Sequence, residues 1–81
     1  MIVESKSFNN GLTKYEVIRL EDGETLTIFA PSGTETHTRN KEDHKYMSLR
    51  VWNNMIELSY TDADNVDVKK IFSSTIPWII E

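Results

Sequence analysis

The sequence predicts a small, mainly β domain, built as a curved antiparallel sheet or small barrel of about five to six strands. The first observation is the alternation of apolar and polar residues in several short segments that are rich in β-branched and aromatic side chains. The second is the set of turn signals between these segments, Asn9-Asn10-Gly11, Asp22-Gly23 and Asn53-Asn54. With 81 residues and no linker-like stretch, the chain is expected to form one domain over residues 1–81.

Residues 46–61 predict a β-hairpin whose register follows from the sequence. A two-residue turn at Asn53-Asn54, where asparagine tolerates a positive φ, places Trp52 opposite Met55. A shift of one residue would exchange the two faces of the hairpin, so the register is well determined. One face is apolar and consists of Met47, Leu49, Val51, Ile56, Leu58 and Tyr60, whereas the reverse face carries Trp52 beside Met55 and Arg50 opposite Glu57.

Residues 2–30 predict three strands joined by two turns. Ile2–Phe8 forms the first strand and residues 13–20 form the second, and the Asp22-Gly23 pair predicts a hairpin between the second and third strands. One face of that hairpin is expected to be the core, and the other is too apolar to remain in water. Either the C-terminal residues or a binding partner must cover this second face. The expected core face carries Tyr15, Val17, Leu26, Ile28 and Ala30, and the opposite face carries Ile18, Leu20 and Phe29.

The C-terminal part of the chain leaves one element open. Over residues 65–74 three apolar residues have the i, i+3, i+4 spacing of a helix, but the alternation at 66–68 favours a strand. A short helix and a strand are both consistent with this pattern. Because Pro77 cannot donate a hydrogen bond to a sheet, residues 76–80 predict an edge strand or an extended arm.

Charge and composition indicate which classes of partner and which cellular compartment are expected. Thirteen acidic against nine basic residues give a net charge of −4, which opposes generic nucleic-acid binding and favours a basic or neutral partner. The chain has no cysteine, which excludes disulfides, thiolate catalysis and thiolate metal ligands. No apolar stretch approaches the roughly 18 residues of a membrane span, and the first residues lack signal-peptide features. We therefore expect a cytoplasmic protein.

The residue types that carry chemistry do not form an enzyme or metal signature. No serine lies in a strained elbow, and both histidines, His37 and His44, lie in a polar segment. Their spacing is wider than in ordinary zinc motifs, and the aspartates of residues 62–67 lack the glycine and glutamate of a calcium loop. The three glycines stand singly at turns, so no glycine-rich phosphate loop is expected. We therefore predict no catalytic residue, no metal and no cofactor.

Residues 34–45 contain no hydrophobic residue and form the segment most free to serve a function. They predict a polar ribbon that projects from the sheet and ends in a tip or a mobile loop. Cations of this ribbon could contact phosphate, while Tyr46 and Trp52 could stack a base. One alternative function is therefore the binding of nucleotides or single-stranded nucleic acid, with His37, Arg39, Lys41 and Lys45 as candidate phosphate-binding residues.

The leading prediction is a protein-binding module, an inhibitor or regulator that sterically blocks a larger partner, since exposed Trp and Met side chains are favoured at protein interfaces. In its small size, acidity and lack of cysteine, the chain is similar to small phage-encoded inhibitors of host proteins. That similarity implies an anti-host or anti-defence protein in the cytoplasm of a host cell. A structural subunit that forms homodimers is a further alternative. The candidate partner-binding residues are Trp52, Met55, Arg50, Tyr46, Ile18, Leu20, Phe29 and Trp78.

Overall fold

The computed structural model describes all 81 residues, and every regular element in it is a strand. The strands are short and are separated by polar turns, as expected for antiparallel strands that bury one face. In chain order they are β1 (Ile2–Phe8), β2 (Thr13–Arg19), β3 (Thr25–Ala30), β4 (Gly33–Thr38), β5 (Met47–Trp52), β6 (Met55–Thr61), β7 (Asp67–Ser73) and β8 (Trp78–Ile80).

The eight strands form two antiparallel sheets with the core between them. Sheet A has the order β1-β2-β5-β6-β7, and sheet B has the order β4-β3-β8. The mainly β prediction is confirmed, and the sheets stay open instead of closing into a barrel. The strand number exceeds the prediction because residues 33–38, expected as a projecting ribbon, pair with β3, and residues 67–73 form a strand that pairs with β6. No helix of the structure has the length and apolarity needed to cross a membrane.

The β5–β6 hairpin has the predicted register. Trp52 pairs with Met55 next to the turn, and the pairing continues without a break to Met47 opposite Tyr60. The turn itself differs from the prediction, because its two asparagines are not among the residues with a positive φ. The apolar face of the hairpin therefore determines the register more strongly than the turn type does.

The hairpin predicted at Asp22-Gly23 is not formed. β2 pairs with β1 and β5 in sheet A, whereas β3 pairs with β4 and β8 in sheet B. The turn therefore carries the chain from one sheet to the other. Because Ile18 lies opposite Leu49 and both belong to the core, Tyr15 and Val17 face outward from sheet A. The predicted core face of β2 is thus wrong by one residue, although Val17 is buried as predicted, with 4% of its surface exposed.

The core contains residues from both sheets. Ile18 and Leu20 are 4% and 1% exposed, so the expectation that they lie opposite the core is wrong. Ile76, Trp78 and Ile80 pack against the core that contains Ile18 and Leu20, so the C-terminal residues cover part of the predicted second face, whereas Phe29 of that face stays 47% exposed. The buried cluster consists of Ile18, Leu20, Leu26, Ile28, Met47, Leu49, Ile56 and Leu58.

Residues 67–73 form β7 at the edge of sheet A, so the helix alternative for this segment is wrong and the strand is correct. β7 pairs with β6 along its whole length. Before it, the Asp62 carboxylate accepts hydrogen bonds of 2.9 Å from the backbone N–H groups of Asp64 and Val66. The Asp62 side chain therefore closes the turn that precedes β7.

β8 confirms the edge-strand prediction for the end of the chain. It follows Pro77 and pairs only with β3, at the edge of sheet B. The carbonyl of Pro77 accepts a hydrogen bond of 3.0 Å from the N–H of Phe29, so the proline contributes an acceptor where it cannot donate. This pairing holds Trp78 and Ile80 against the core.

Candidate functional site

The outer face of sheet A, which is turned away from sheet B, carries the candidate functional site. A strand places alternate residues on opposite faces, so the strands that build the core with one set present the other set outward. The two sheets are the only layers of the fold, and sheet B packs on the inner face. A cleft of about 490 Å³ opens on the outer face.

The cleft collects most of the cations of the chain. Six of the nine lysines and arginines line it, together with one acidic side chain, Asp67. The cleft is therefore locally cationic although the whole chain carries a net charge of −4. We refer to it as the cationic cleft, and its cations are Lys6, Arg19, Arg39, Lys45, Arg50 and Lys69.

Strand register explains why a cleft forms here. One row of outward residues crosses sheet A from Arg19 through Ser48 and Ser59 to Lys69. The two serines in the middle are short, and the long cations at both ends form the walls. The Ser59 hydroxyl donates a hydrogen bond of 3.2 Å to the Glu57 carboxylate, which gives the floor a fixed polar group.

Carboxylates on the same face neutralise part of this charge. Glu4 forms an ion pair with Arg19, and its carboxylate lies 3.8 Å from the Lys6 ammonium. Glu57 lies opposite Arg50 as predicted, with 3.9 Å between the carboxylate and the guanidinium. The ion pair of Glu4 occupies the cations on the β1–β2 side of the cleft. The contact of Arg50 with Glu57 is long, and Arg50 is 45% exposed whereas Glu57 is buried, so Arg50 remains accessible to solvent.

The remaining three cations differ in their role. The Arg39 guanidinium donates hydrogen bonds to the carbonyl oxygens of Leu20 at 2.8 Å and Lys45 at 3.0 Å, so it attaches the loop after β4 to the end of β2. Lys45 and Lys69 take part in none of the ion pairs of the structure. These two lysines are therefore the cations most available to an anionic group.

Tyr46 closes one side of the cationic cleft. Its hydroxyl donates a hydrogen bond of 2.8 Å to the Asp67 carboxylate. This hydrogen bond, with smaller effects of burial and of the negative charge of Asp67, raises the pKa of Tyr46. The phenol is therefore neutral near neutral pH, and it presents its ring to solvent in a fixed orientation.

An aromatic cluster lies beside the cationic cleft on the same face. Tyr15 packs edge-on against Trp52, with 5.4 Å between ring centroids and an interplanar angle of 87°. Phe8 packs against the other side of Tyr15 at 5.8 Å. Tyr15 also lines the cleft, so the cluster and the cleft are continuous. We call Phe8, Tyr15 and Trp52 the aromatic ledge.

The predicted partner-binding residues separate into three groups. Tyr46, Arg50, Trp52 and Met55 all belong to the outer face of sheet A. Ile18 and Leu20 lie in the core and cannot contact a partner, so the part of the prediction that needs them exposed is wrong. The last group belongs to sheet B, where Trp78 packs against the core and Phe29 stays 47% exposed.

The predicted phosphate-binding residues do not form one ribbon. Arg39 and Lys45 line the cationic cleft, but Lys41 does not, and its backbone N–H donates a hydrogen bond of 2.9 Å to Asp22. His37 lies on the inner side of β4, the side that faces sheet A, and not on the outer face of sheet A. Its ring Nε2 is 3.2 Å from the Glu35 carboxylate, so it does not belong to the cleft.

A second polar cluster connects the two sheets along this inner edge. His37 and His44 both pack against the ring of Tyr60, each with 5.7 Å between centroids, so neither is simply a solvated loop residue. The Lys70 ammonium donates a hydrogen bond of 2.8 Å to Glu35 across the sheets. This hydrogen bond lowers the pKa of Glu35 and raises the pKa of Lys70. No group of three or more potential metal ligands is present.

Sequence reasoning missed several residues of the site. Lys6, Arg19 and Lys69 line the cationic cleft, and Phe8 and Tyr15 form the aromatic ledge with Trp52. These residues lie in β1, β2 and β7, and β7 is distant in sequence from the other two strands. The alternation of β2 gives the only local signal, and it depends on knowing which face of β2 is buried.

Comparisons of the chain with protein-family models, with curated proteins and with solved structures found no match.

Proposed function

We propose that the protein is a binding module that captures a larger protein partner with the outer face of sheet A. The observation that carries this proposal is the continuity of the aromatic ledge with the cationic cleft on a face that sheet B does not cover. Trp, Tyr and Arg are the residue types that dominate binding energy at protein interfaces. The face therefore supplies anchors of the right chemistry on a rigid support.

The charge of this face specifies the chemistry of the partner. The overall charge of −4 favours a basic or neutral partner, but the partner meets the local surface, where cations are in excess. Lys45 and Lys69 carry no ion pair and are placed to receive carboxylates. We therefore propose a partner that presents an apolar contact to the aromatic ledge and an acidic patch to the cationic cleft.

The proposed mechanism is steric, as for an inhibitor or regulator. The domain measures 37 × 28 × 22 Å, so a partner site that it covers would be closed to other macromolecules. Interfaces of standard size bury about 800 Å² on each partner, which the five-stranded face of such a domain can provide. No catalytic step is needed for this function.

Affinity capture with matched variants tests the proposal. The wild-type chain, Trp52→Ala and Lys41→Ala are immobilised and exposed to lysate of the native host, and the bound proteins are identified by mass spectrometry. Lys41 is a cation outside the cationic cleft and serves as the control. We expect one protein to be retained by the wild type and by Lys41→Ala and to be lost with Trp52→Ala. Retention of the same proteins by all three baits would contradict the proposal.

Single-stranded nucleic acid is the second candidate ligand. The specific observation in its favour is that Tyr15 and Tyr46 line the same cleft as six cations, which is the combination that stacks bases and contacts phosphates. A fluorescein-labelled oligothymidylate titrated at two salt concentrations tests this candidate. Micromolar binding that weakens steeply with salt and is lost with Lys45→Ala and Lys69→Ala combined would favour nucleic acid over a protein partner.

A further inference from the structure

The two sheets have four edge strands, β1, β7, β4 and β8. These edges differ in how well they are protected against pairing with a strand of another molecule. β7 carries Lys69 and Lys70 at its centre, and lysines on an edge strand oppose pairing with another strand. β8 has only three residues, and β4 alternates threonine with Glu35 and His37. β1 is different, since it is seven residues long and all of its residues are exposed.

β1 also exposes apolar side chains on both of its faces. Ile2 and Phe8 are 48% and 47% exposed, and Val3 on the opposite face is 52% exposed. One side of the strand pairs with β2, and the other side has no neighbour. A long edge strand with exposed apolar residues is the kind of edge that pairs with a further strand, and the charges of β1, Glu4 and Lys6, have opposite signs.

The sequence of β1 complements itself when a second copy runs antiparallel to it. In an antiparallel pair centred on Ser5, every residue faces a compatible partner, and the two-fold symmetry repeats each contact. A symmetric pair centred on Glu4 places Glu4 opposite Glu4, and one centred on Lys6 places Lys6 opposite Lys6. Like charges therefore oppose the two symmetric registers next to the one centred on Ser5. The resulting pairs are Ile2 opposite Phe8, Val3 opposite Ser7, and Glu4 opposite Lys6.

The symmetric pairing of β7 over its full length is opposed by charge. Centred on Lys70, the strand would place that lysine opposite its own copy, and Lys69 would face the apolar Ile71. Lys70 is in addition engaged with Glu35 at 2.8 Å. β1 is exposed along its whole length, and its full-length antiparallel register places opposite charges together, with Glu4 also forming an ion pair with Arg19 of its own chain.

We propose that β1 binds β1 of a second copy of this chain, so that two five-stranded sheets join into one continuous sheet of ten strands. A two-fold axis perpendicular to the sheet keeps both outer faces on the same side. The two cationic clefts and the two aromatic ledges then open in one direction, and the homodimer can engage a partner bivalently. The dimer itself does not depend on the nature of that partner.

Sedimentation equilibrium of the full chain with charge-reversal variants tests this proposal. We expect the wild type to show a monomer–dimer equilibrium below about 1 mM. Glu4→Lys alone, or Lys6→Glu alone, should weaken dimerisation about ten-fold or more, because each places like charges opposite each other twice across the axis. The combined variant Glu4→Lys/Lys6→Glu restores opposite charges and should recover dimerisation. Lys69→Glu on the other edge is the control and should leave it unchanged.

Two results would overturn the proposal. The first is a wild type that stays monomeric over the whole concentration range. The second is a dimer that the single reversals weaken but the combined variant does not recover, or that Lys69→Glu weakens as strongly. Circular dichroism of each variant shows whether the sheet is retained, so a loss of dimer through unfolding is recognised directly.

Discussion

The two faces of sheet A are built by the same strands and have opposite properties. On the inner face, Leu49 of β5 and Leu58 of β6 are opposite each other and completely buried. One residue further along these strands, on the outer face, Arg50 pairs with Glu57 beside the aromatic ledge. The inner face thus determines the fold, while the outer face is free to vary for binding. Substitutions on the inner face should therefore change stability, and substitutions on the outer face should change binding.

The largest effect is expected from a truncation on the inner face. Leu58→Ala removes a fully buried side chain at the centre of the core and should lower the free energy of unfolding by about 2 to 4 kcal/mol. Arg50→Ala, on the neighbouring strand but the outer face, should cost less than about 1 kcal/mol, because Arg50 is exposed, its contact with Glu57 is long, and the buried Glu57 carboxylate keeps its hydrogen bond from Ser59. Urea denaturation of both variants measures the difference. Equal costs would show that the inner face does not dominate stability.

The next effect concerns an anchor on the outer face. Trp52→Ala should weaken binding of the captured protein by about 2 kcal/mol, roughly 30-fold, as expected for a buried tryptophan at an interface. Phe29→Ala is the matched control, because Phe29 is an aromatic residue that is 47% exposed on sheet B. Calorimetric titration of both variants should find the loss only for Trp52→Ala. A comparable loss for Phe29→Ala would place the binding surface on sheet B.

The smallest effect is expected at the contact between Glu35 and Lys70, and it depends on pH. Lys70 holds the pKa of Glu35 below its ordinary value, so the stability that this contact contributes is present at neutral pH and is lost as the pH falls through the lowered pKa. The raised pKa of Lys70 means that the contribution is also lost as the pH rises through that value.

Lys70→Met should therefore destabilise the protein by less than about 1 kcal/mol at about pH 7, since both side chains are partly exposed. At about pH 2, where the carboxyl is protonated, the difference from the wild type should disappear. Lys69→Met, which removes a lysine without an ion pair, should show no such pH dependence. Thermal unfolding at both pH values measures these differences, and a constant difference for Lys70→Met would argue against the ion pair.

The predictable part of the fold is the part that local pattern determines. The β5–β6 register and the bounds of β1 follow from alternation and from nearby turns, and the structure confirms them. The Asp22-Gly23 pair is an equally strong local signal, yet it joins two different sheets. β2 pairs with β5 because this pairing buries Ile18 against Leu49. That contact joins segments distant in sequence, so the local sequence pattern cannot predict it.

The candidate site is predictable from the sequence on the β5–β6 hairpin and in the polar segment before it. The register of the hairpin places Arg50, Trp52 and Met55 on one face, and Arg39 and Lys45 of the polar segment line the cationic cleft. The members that the sequence does not predict come from β1, β2 and β7 and meet only through sheet order. Net charge does not describe the cationic cleft for the same reason, since it averages over a surface on which six cations are gathered in one cleft.

The central claim, that the outer face of sheet A is the binding surface, can be tested with the two tryptophans of the chain. Trp52 belongs to the aromatic ledge, whereas Trp78 packs against the core from sheet B. In a ¹⁵N-labelled sample each gives one indole N–H signal in a nuclear magnetic resonance spectrum. On addition of the captured partner, the Trp52 signal should shift or broaden while the Trp78 signal stays in place. A shift of the Trp78 signal with the Trp52 signal unchanged would contradict the account.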